Sequence, residues 1–174
     1  MANVDAPHGF DPLKSLGGGD MITRIYTKPV GDGVILGIGD LVTLTGALDV
    51  IEQYDQDDLV LGSCGSFGAA STATSHPVTL AFEDTLFEAQ EDGDGGAMGT
   101  AAEGSGADVI VNGVASATSP NSIMEINSDT ANNAALDLHL YQVAPYIDND
   151  GTLTNARWFV LMNDRQYANA TAGV

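Results

Sequence analysis

No stretch of this 174-residue chain repeats its apolar residues at i, i+3, i+4 and i+7 over three helical turns. It carries short alternating runs instead, broken by glycine, proline, asparagine and aspartate. Ala134–Val143 (AALDLHLYQV) sets Leu136, Leu138 and Leu140 on one face and Asp137, His139 and Tyr141 on the other. Met21–Lys28 (MITRIYTK) alternates in the same way, as do Val78, Leu80 and Phe82. Arg157–Asn163 (RWFVLMN) is apolar on both faces, which predicts a central strand or one buried at an interface. Further strands are expected in GDGVILGIGDLVTLTG, Leu86–Gln90, Asp108–Asn112 and Ser122–Asn127, the last two parted by a turn around Pro120–Asn121. Leu48–Leu61 reads as a short helical turn or an acidic hairpin. Many short strands at this spacing predict an all-β fold, a compact β-barrel or β-sandwich.

Residues 1–20 read as an extended N-terminal arm. Pro7 and Pro12 oppose a helix, and Gly17–Gly18–Gly19 ends the segment flexibly. A single β-domain is expected over 21–167, followed by a tail at 168–174. Within the domain, residues 91–106 (EDGDGGAMGTAAEGSG) have no apolar period and predict a mobile surface loop. A chain of this length buries roughly 70% of its unfolded surface and needs neither metal nor disulfide to fold. The single Cys64 excludes an internal disulfide and reads as a small buried thiol. No apolar run is long enough to span a membrane, and the first residues lack a secretory pattern. Synthesis in a cytoplasm is the expectation.

Charge narrows the partners. All five basic residues lie toward the ends: Lys14, Arg24, Lys28, Arg157 and Arg165. Of the 24 carboxylates, Asp5, Asp11, Asp20 and Asp164 alone fall outside Pro29–Ala156, and the net charge is −19. Such a surface repels nucleic acid, phosphate groups and anionic lipid. The carboxylates must be solvated, bound to cations or matched to a partner, and the flanking basic residues are the natural docking groups.

Three kinds of chemistry are open to such a chain in principle. A nucleophile built from Cys64 or a Ser with His8, His76 or His139 lacks the G-x-S-x-G order, and no strand-to-long-helix pattern surrounds GSCGS. His139 reads as a solvent-facing or interface strand residue and His76, before Pro77, as a turn residue. Asp55, Asp57 and Asp58, then Glu91, Asp92 and Asp94, then Asp148 and Asp150 offer oxygen ligands to a hard cation. None has the EF-hand spacing, and turn chemistry accounts for them. GDGVILGIGD has neither a dinucleotide fingerprint nor a P-loop, so no metal, cofactor or catalytic residue is expected.

Two end segments carry a resemblance. The opening MANVDAPHGFDPLKSLGGG and the closing NARWFVLMNDRQY resemble tailed-bacteriophage head decoration (capsid cement) proteins, in which a "MAN.DAP.GF.P" arm precedes a β-domain closed by a "NAKW.VLIN" strand. IGDLVTLTG, LVLGSCGSF, LFEAQEDGDG (beside "VFEVQEDG") and ALDLHLYQVAPYIDNDG follow in the same order. FDPLK replaces a more basic "F.PVRH".

The resemblance implies a non-enzymatic virion protein on the outer capsid surface that binds the major capsid protein, commonly as a homotrimer. It implies no nucleic-acid or membrane partner and no cofactor. Phe10, Lys14, Arg24, Lys28, Arg157 and Arg165 are then the candidate capsid or subunit contacts. Two alternatives remain: another virion component (head-fibre base, tail or connector-associated), or an acidic calcium- or sugar-binding β-sandwich.

Overall fold

The computed structural model describes residues 2–30, 33–46, 49–56, 58–111, 113, 115–131 and 136–167. The strands are β1 (Asp11–Ser15), β2 (Thr23–Lys28), β3 (Leu41–Leu44), β4 (Ile51–Gln53), β5 (Gly62–Cys64), β6 (Thr74–Leu80), β7 (Thr85–Gln90), β8 (Gly106–Ala107), β9 (Val109–Val111), β10 (Met124–Ile126), β11 (Leu138–Val143) and β12 (Arg157–Met162). Two single turns of 3-10 helix, Thr100–Ala102 and Ser128–Thr130, complete the regular structure among the described residues.

The strands form two five-stranded antiparallel sheets, ordered β1-β7-β12-β11-β8 and β2-β6-β5-β3-β4, with a separate β10-β9 ribbon. The sheets pack as a sandwich. The ends of the second sheet touch at one parallel bridge, Thr27 to Val50, which does not close a barrel. Of the two all-β architectures open to the sequence, the chain adopts the sandwich.

Alternation dictates which faces meet. On β12, Trp158, Val160 and Met162 are buried while Arg157, Phe159 and Leu161 are half-exposed, and the strand lies at the centre of its sheet as its composition predicts. Leu138 and Leu140 of β11 point into the same core, with Phe87 and Ala89 from β7. Burying each large apolar side chain contributes about 1.5–3 kcal/mol. A smaller cluster forms on the second sheet from Tyr26, Val42, Ile51, Leu61, Cys64, Val78 and Leu80. There β5 and β6 approach so closely that a Cβ at Gly62 would collide with the Thr79 carbonyl.

Three expectations change. Within Leu48–Leu61 the described residues give β4, which pairs with the upstream β3, while Val60 bridges Arg165, so the stretch is neither a helical turn nor a hairpin of its own. His76 is not a turn residue; it lies in β6 with its side chain buried. The 91–106 segment is not wholly surface: Glu91 and Ala102 are fully buried and Met98 packs on the core. The 168–174 tail, Asp57, and Ala134 and Ala135 of the strand expected from Ala134 lie outside the described residues.

Candidate contact surface

The N-terminal segment lies along its own domain. Asn3 Nδ2 donates to the carbonyls of Asp150, Leu153 and Thr154 at 2.9, 3.3 and 3.0 Å, and its Oδ1 accepts the Asp150 N–H at 2.9 Å. The Gln90 side-chain amide grips the strap as a neighbouring strand would. Its Oε1 accepts the Ala6 N–H at 2.9 Å, and its Nε2 donates to the Val4 carbonyl at 2.6 Å. A cavity of about 390 Å³ remains beside the strap, floored by Gln90, Asn149 and Arg157.

Beyond the strap the chain is fixed. Gly9 has φ +77°, and a side chain there would strike Ser122 and the Gly39 backbone. Phe10 is completely buried, its N–H donates to Gly39 O at 2.8 Å, and its carbonyl accepts the Ser63 hydroxyl at 2.6 Å. Asp11–Ser15 then pairs with β7. Residues 1–20 are thus no free arm: residues 2–8 are a strap, Phe10 is core, and 11–15 are sheet. As a candidate contact Phe10 is corrected to a core residue, because an aromatic ring gains more from this pocket than from solvent.

The strap accounts for an oddity of β7. All six of its residues are buried, although Glu88 and Gln90 face away from the core side that holds Phe87 and Ala89. Glu88 is roofed by His8 and Tyr146. Its Oε2 accepts the Tyr146 hydroxyl at 2.5 Å, and its Oε1 lies 3.7 Å from His8 Nε2 and 3.9 Å from Arg157 Nη1. Arg157 also bonds Asp148 at 2.6 Å and lies over the Tyr146 ring.

The Glu88 carboxylate beside His8 raises its pKa; burial opposes this, and the charge of Asp11 reinforces it. Burial pushes the Glu88 carboxyl up, but the His8 ring beside it, the Tyr146 hydroxyl bond and the Arg157 charge outweigh this, so its pKa falls. This network was not foreseen in the sequence, since His8, Glu88 and Tyr146 are far apart in the chain and only the strand register joins them.

The remaining basic residues divide. Lys14 on β1 and Arg24 on β2 are exposed, and each stands on an edge strand of its sheet. Arg24 is flanked by two exposed apolar side chains, Ile22 and Ile25. Lys28 is fully buried, with Nζ 3.3 Å from the Ala69 carbonyl, so it is corrected from a contact to an internal residue. Arg165 turns back onto the Met162 carbonyl and Arg157 is engaged with Asp148 and Glu88.

The groups weighed for chemistry have structural partners. Cys64 is buried, donates to Ser66 O at 3.2 Å, and its thiol is pushed up by burial to about 11. Ser66 Oγ lies 2.9 Å from His76 Nδ1, with Thr74 Oγ1 at the other ring nitrogen, and burial lowers the His76 pKa. Asp92 accepts the Ser128 hydroxyl and N–H, Asp150 accepts from Thr152, and Asp55 N–H donates to Asp58. The Asp150 and Asp55–Asp58 bonds are turn bonds, whereas Asp92 ties its segment to Ser128 across the fold. Among the described residues no three His, Cys, Asp or Glu side chains are gathered as metal ligands.

Comparison with known proteins adds no kinship: no protein-family model matches the chain, and no curated protein matches it significantly.

Proposed function

We propose that this protein is a non-enzymatic structural component of a phage virion, which binds the outside of the capsid and stabilises the lattice of the major capsid protein. The observation that carries the reading is where the family-like segments lie. Gly9 and Phe10 of the opening motif, Asp40 of IGDLVTLTG, and Ala156 and Trp158 of the closing motif are all at backbone-restricted or buried positions. The end motifs, some 150 residues apart in sequence, contribute Phe10 and Trp158 to one core. Residues with such roles change least when a surface is remodelled.

The surface chemistry supports the same reading. With Lys28 buried, Arg157 held by Asp148 and Glu88, and Arg165 folded back onto the Met162 carbonyl, Lys14 and Arg24 are the exposed cations among the five. The β2 edge, with Ile22, Arg24 and Ile25 exposed, suits a protein partner that offers carboxylates and apolar area. Many such contacts around a shell stabilise the assembled state by mass action. The protein acts as a homotrimer, with no nucleic acid, membrane or cofactor involved.

Particles stripped of the protein and then incubated with it test the proposal. Saturable binding at a copy number approaching that of the major capsid protein, weakened several-fold by Arg24→Glu with Lys14→Glu, is the expected result. A few copies per particle would favour a fibre-base, tail or connector position. No binding, together with a calcium- or glycan-dependent melting shift, would favour the acidic binding module.

A further inference from the structure

Glu91 opens the Gly- and acid-rich segment, and its side chain is fully buried. Oε2 accepts the Trp158 indole N–H and the Met98 backbone N–H, both at 3.3 Å. Oε1 is buried and has no hydrogen-bond partner among the described residues. Around the residue lie Trp158 of β12, Ala156 before it, Ile126 of β10 through a backbone bridge, and Met98 of the segment itself.

The charge that acts on this carboxyl is that of Asp92, while Arg157 of β12 is engaged with Glu88 and Asp148. Asp92 pushes the carboxyl the same way as burial does. Glu125 is buried on β10, and Asp129 packs against Gly95, where a Cβ would strike its Oδ1. No Lys, Arg or His forms an ion pair with Glu91 among the described residues. An ionised Glu91 would be a buried charge held by two long hydrogen bonds, from Trp158 and Met98, with no counter-ion among the described residues.

What covers this carboxyl is lightly held. The cover bends at Gly93, Gly96 and Gly99, with φ of +72°, +90° and +71°, and the Cβ positions at Gly96 and Gly99 face open space. Its attachments include Gly95 N–H to Ser128 Oγ at 3.0 Å, Met98 N–H to Glu91 itself, and the half-buried Met98 side chain.

We propose that residues 93–101 form a proton-gated lid, closed over the protonated Glu91 carboxyl and opening to let water reach it when the proton leaves for solvent. Burial raises this carboxyl from 4.5 to about 7 in the closed form. The hydrated, open form ionises near the ordinary value. Between these two values the open form has lost a proton that the closed form keeps, so opening eases as pH rises. The gain is about tenfold per pH unit and levels off above the closed-form value.

Amide hydrogen exchange on the whole protein from about pH 4 to pH 8.5, corrected for the intrinsic exchange rate, tests this. Opening of the 95–101 amides is expected to increase about a hundredfold or more across the window and then plateau. The amides of β3 and β5 should stay better protected throughout. Met98 oxidation by dilute peroxide should follow the same profile. Glu91→Gln should flatten both. A flat profile in the unsubstituted protein would overturn the lid, as would loop amides that exchange only together with those of β3 and β5.

Discussion

The Arg157 guanidinium lies 4.5 Å from the centroid of the Tyr146 ring, and the hydroxyl of that ring donates to Glu88 at 2.5 Å. Phe159 meets the same ring edge-on at 6.1 Å. One aromatic residue from the β11–β12 connection therefore roofs the outward face of the first sheet and occupies a basic residue that the sequence offered to a partner.

Arg157 accordingly serves this domain's stability. Arg157→Ala should lower stability by about 1–2 kcal/mol, from the lost cation–π contact and its half-exposed ion pairs. Arg24→Ala on the open edge of β2 should leave stability within about 0.5 kcal/mol. In particle binding the order should reverse, with Arg24→Ala slowing association and steepening nothing in the melt. Thermal melts and binding kinetics on the same two variants check this.

The strap should be pH-sensitive. The His8 pKa is raised, so its contribution is full below the ordinary value of 6.5 and is lost as pH rises through the raised one. The Glu88 pKa is lowered, so its contribution is present above the ordinary 4.5 and is lost as pH falls through the lowered value. The strap is held best between the two. An NMR titration should place His8 above 6.5 in the native protein, and Glu88→Gln should bring it down; an unchanged midpoint would refute the pairing.

Truncation should distinguish strap from core. Removing residues 2–7 should leave the sandwich folded, since Asn3 bonds only loop backbone groups and Gln90 keeps its bond to the Asn155 carbonyl. Removing 1–20 takes away Phe10 and β1 and should cost the fold itself. Phe10→Ala alone should cost about 3–5 kcal/mol, as for other buried aromatics. Denaturant melts of the three forms decide it.

Much of this architecture was legible in the chain. Period-two alternation located β2, β6 and β11, and the two-sided apolarity of RWFVLMN marked the central strand β12. The sandwich itself was not separable from a barrel, because closure depends on strand order and alternation carries no order. The opening segment was misjudged for a physical reason. Prolines and a glycine triplet exclude a helix, but they do not exclude a strand on a sheet edge, where Pro12 and a bulge are tolerated. The basic residues misled in a similar way. Lys28 looked like a surface cation, yet strand alternation places it on the same face as buried Tyr26.

Cys64 should behave as a packing residue. With its thiol pushed up to about 11 and its side chain buried, it should react with a disulfide reagent at neutral pH only as fast as the protein opens. Labelling should become rapid in denaturant. Rapid labelling of the native protein would contradict the buried position.

The most direct measurement for the central proposal is cryo-electron microscopy of the particle that carries this protein. The account predicts regular outer density at three-fold and quasi-three-fold positions that fits the sandwich, with the β2 edge and Arg24 toward the shell. Density confined to the tail or a single vertex, or particles wholly without the protein, would contradict it.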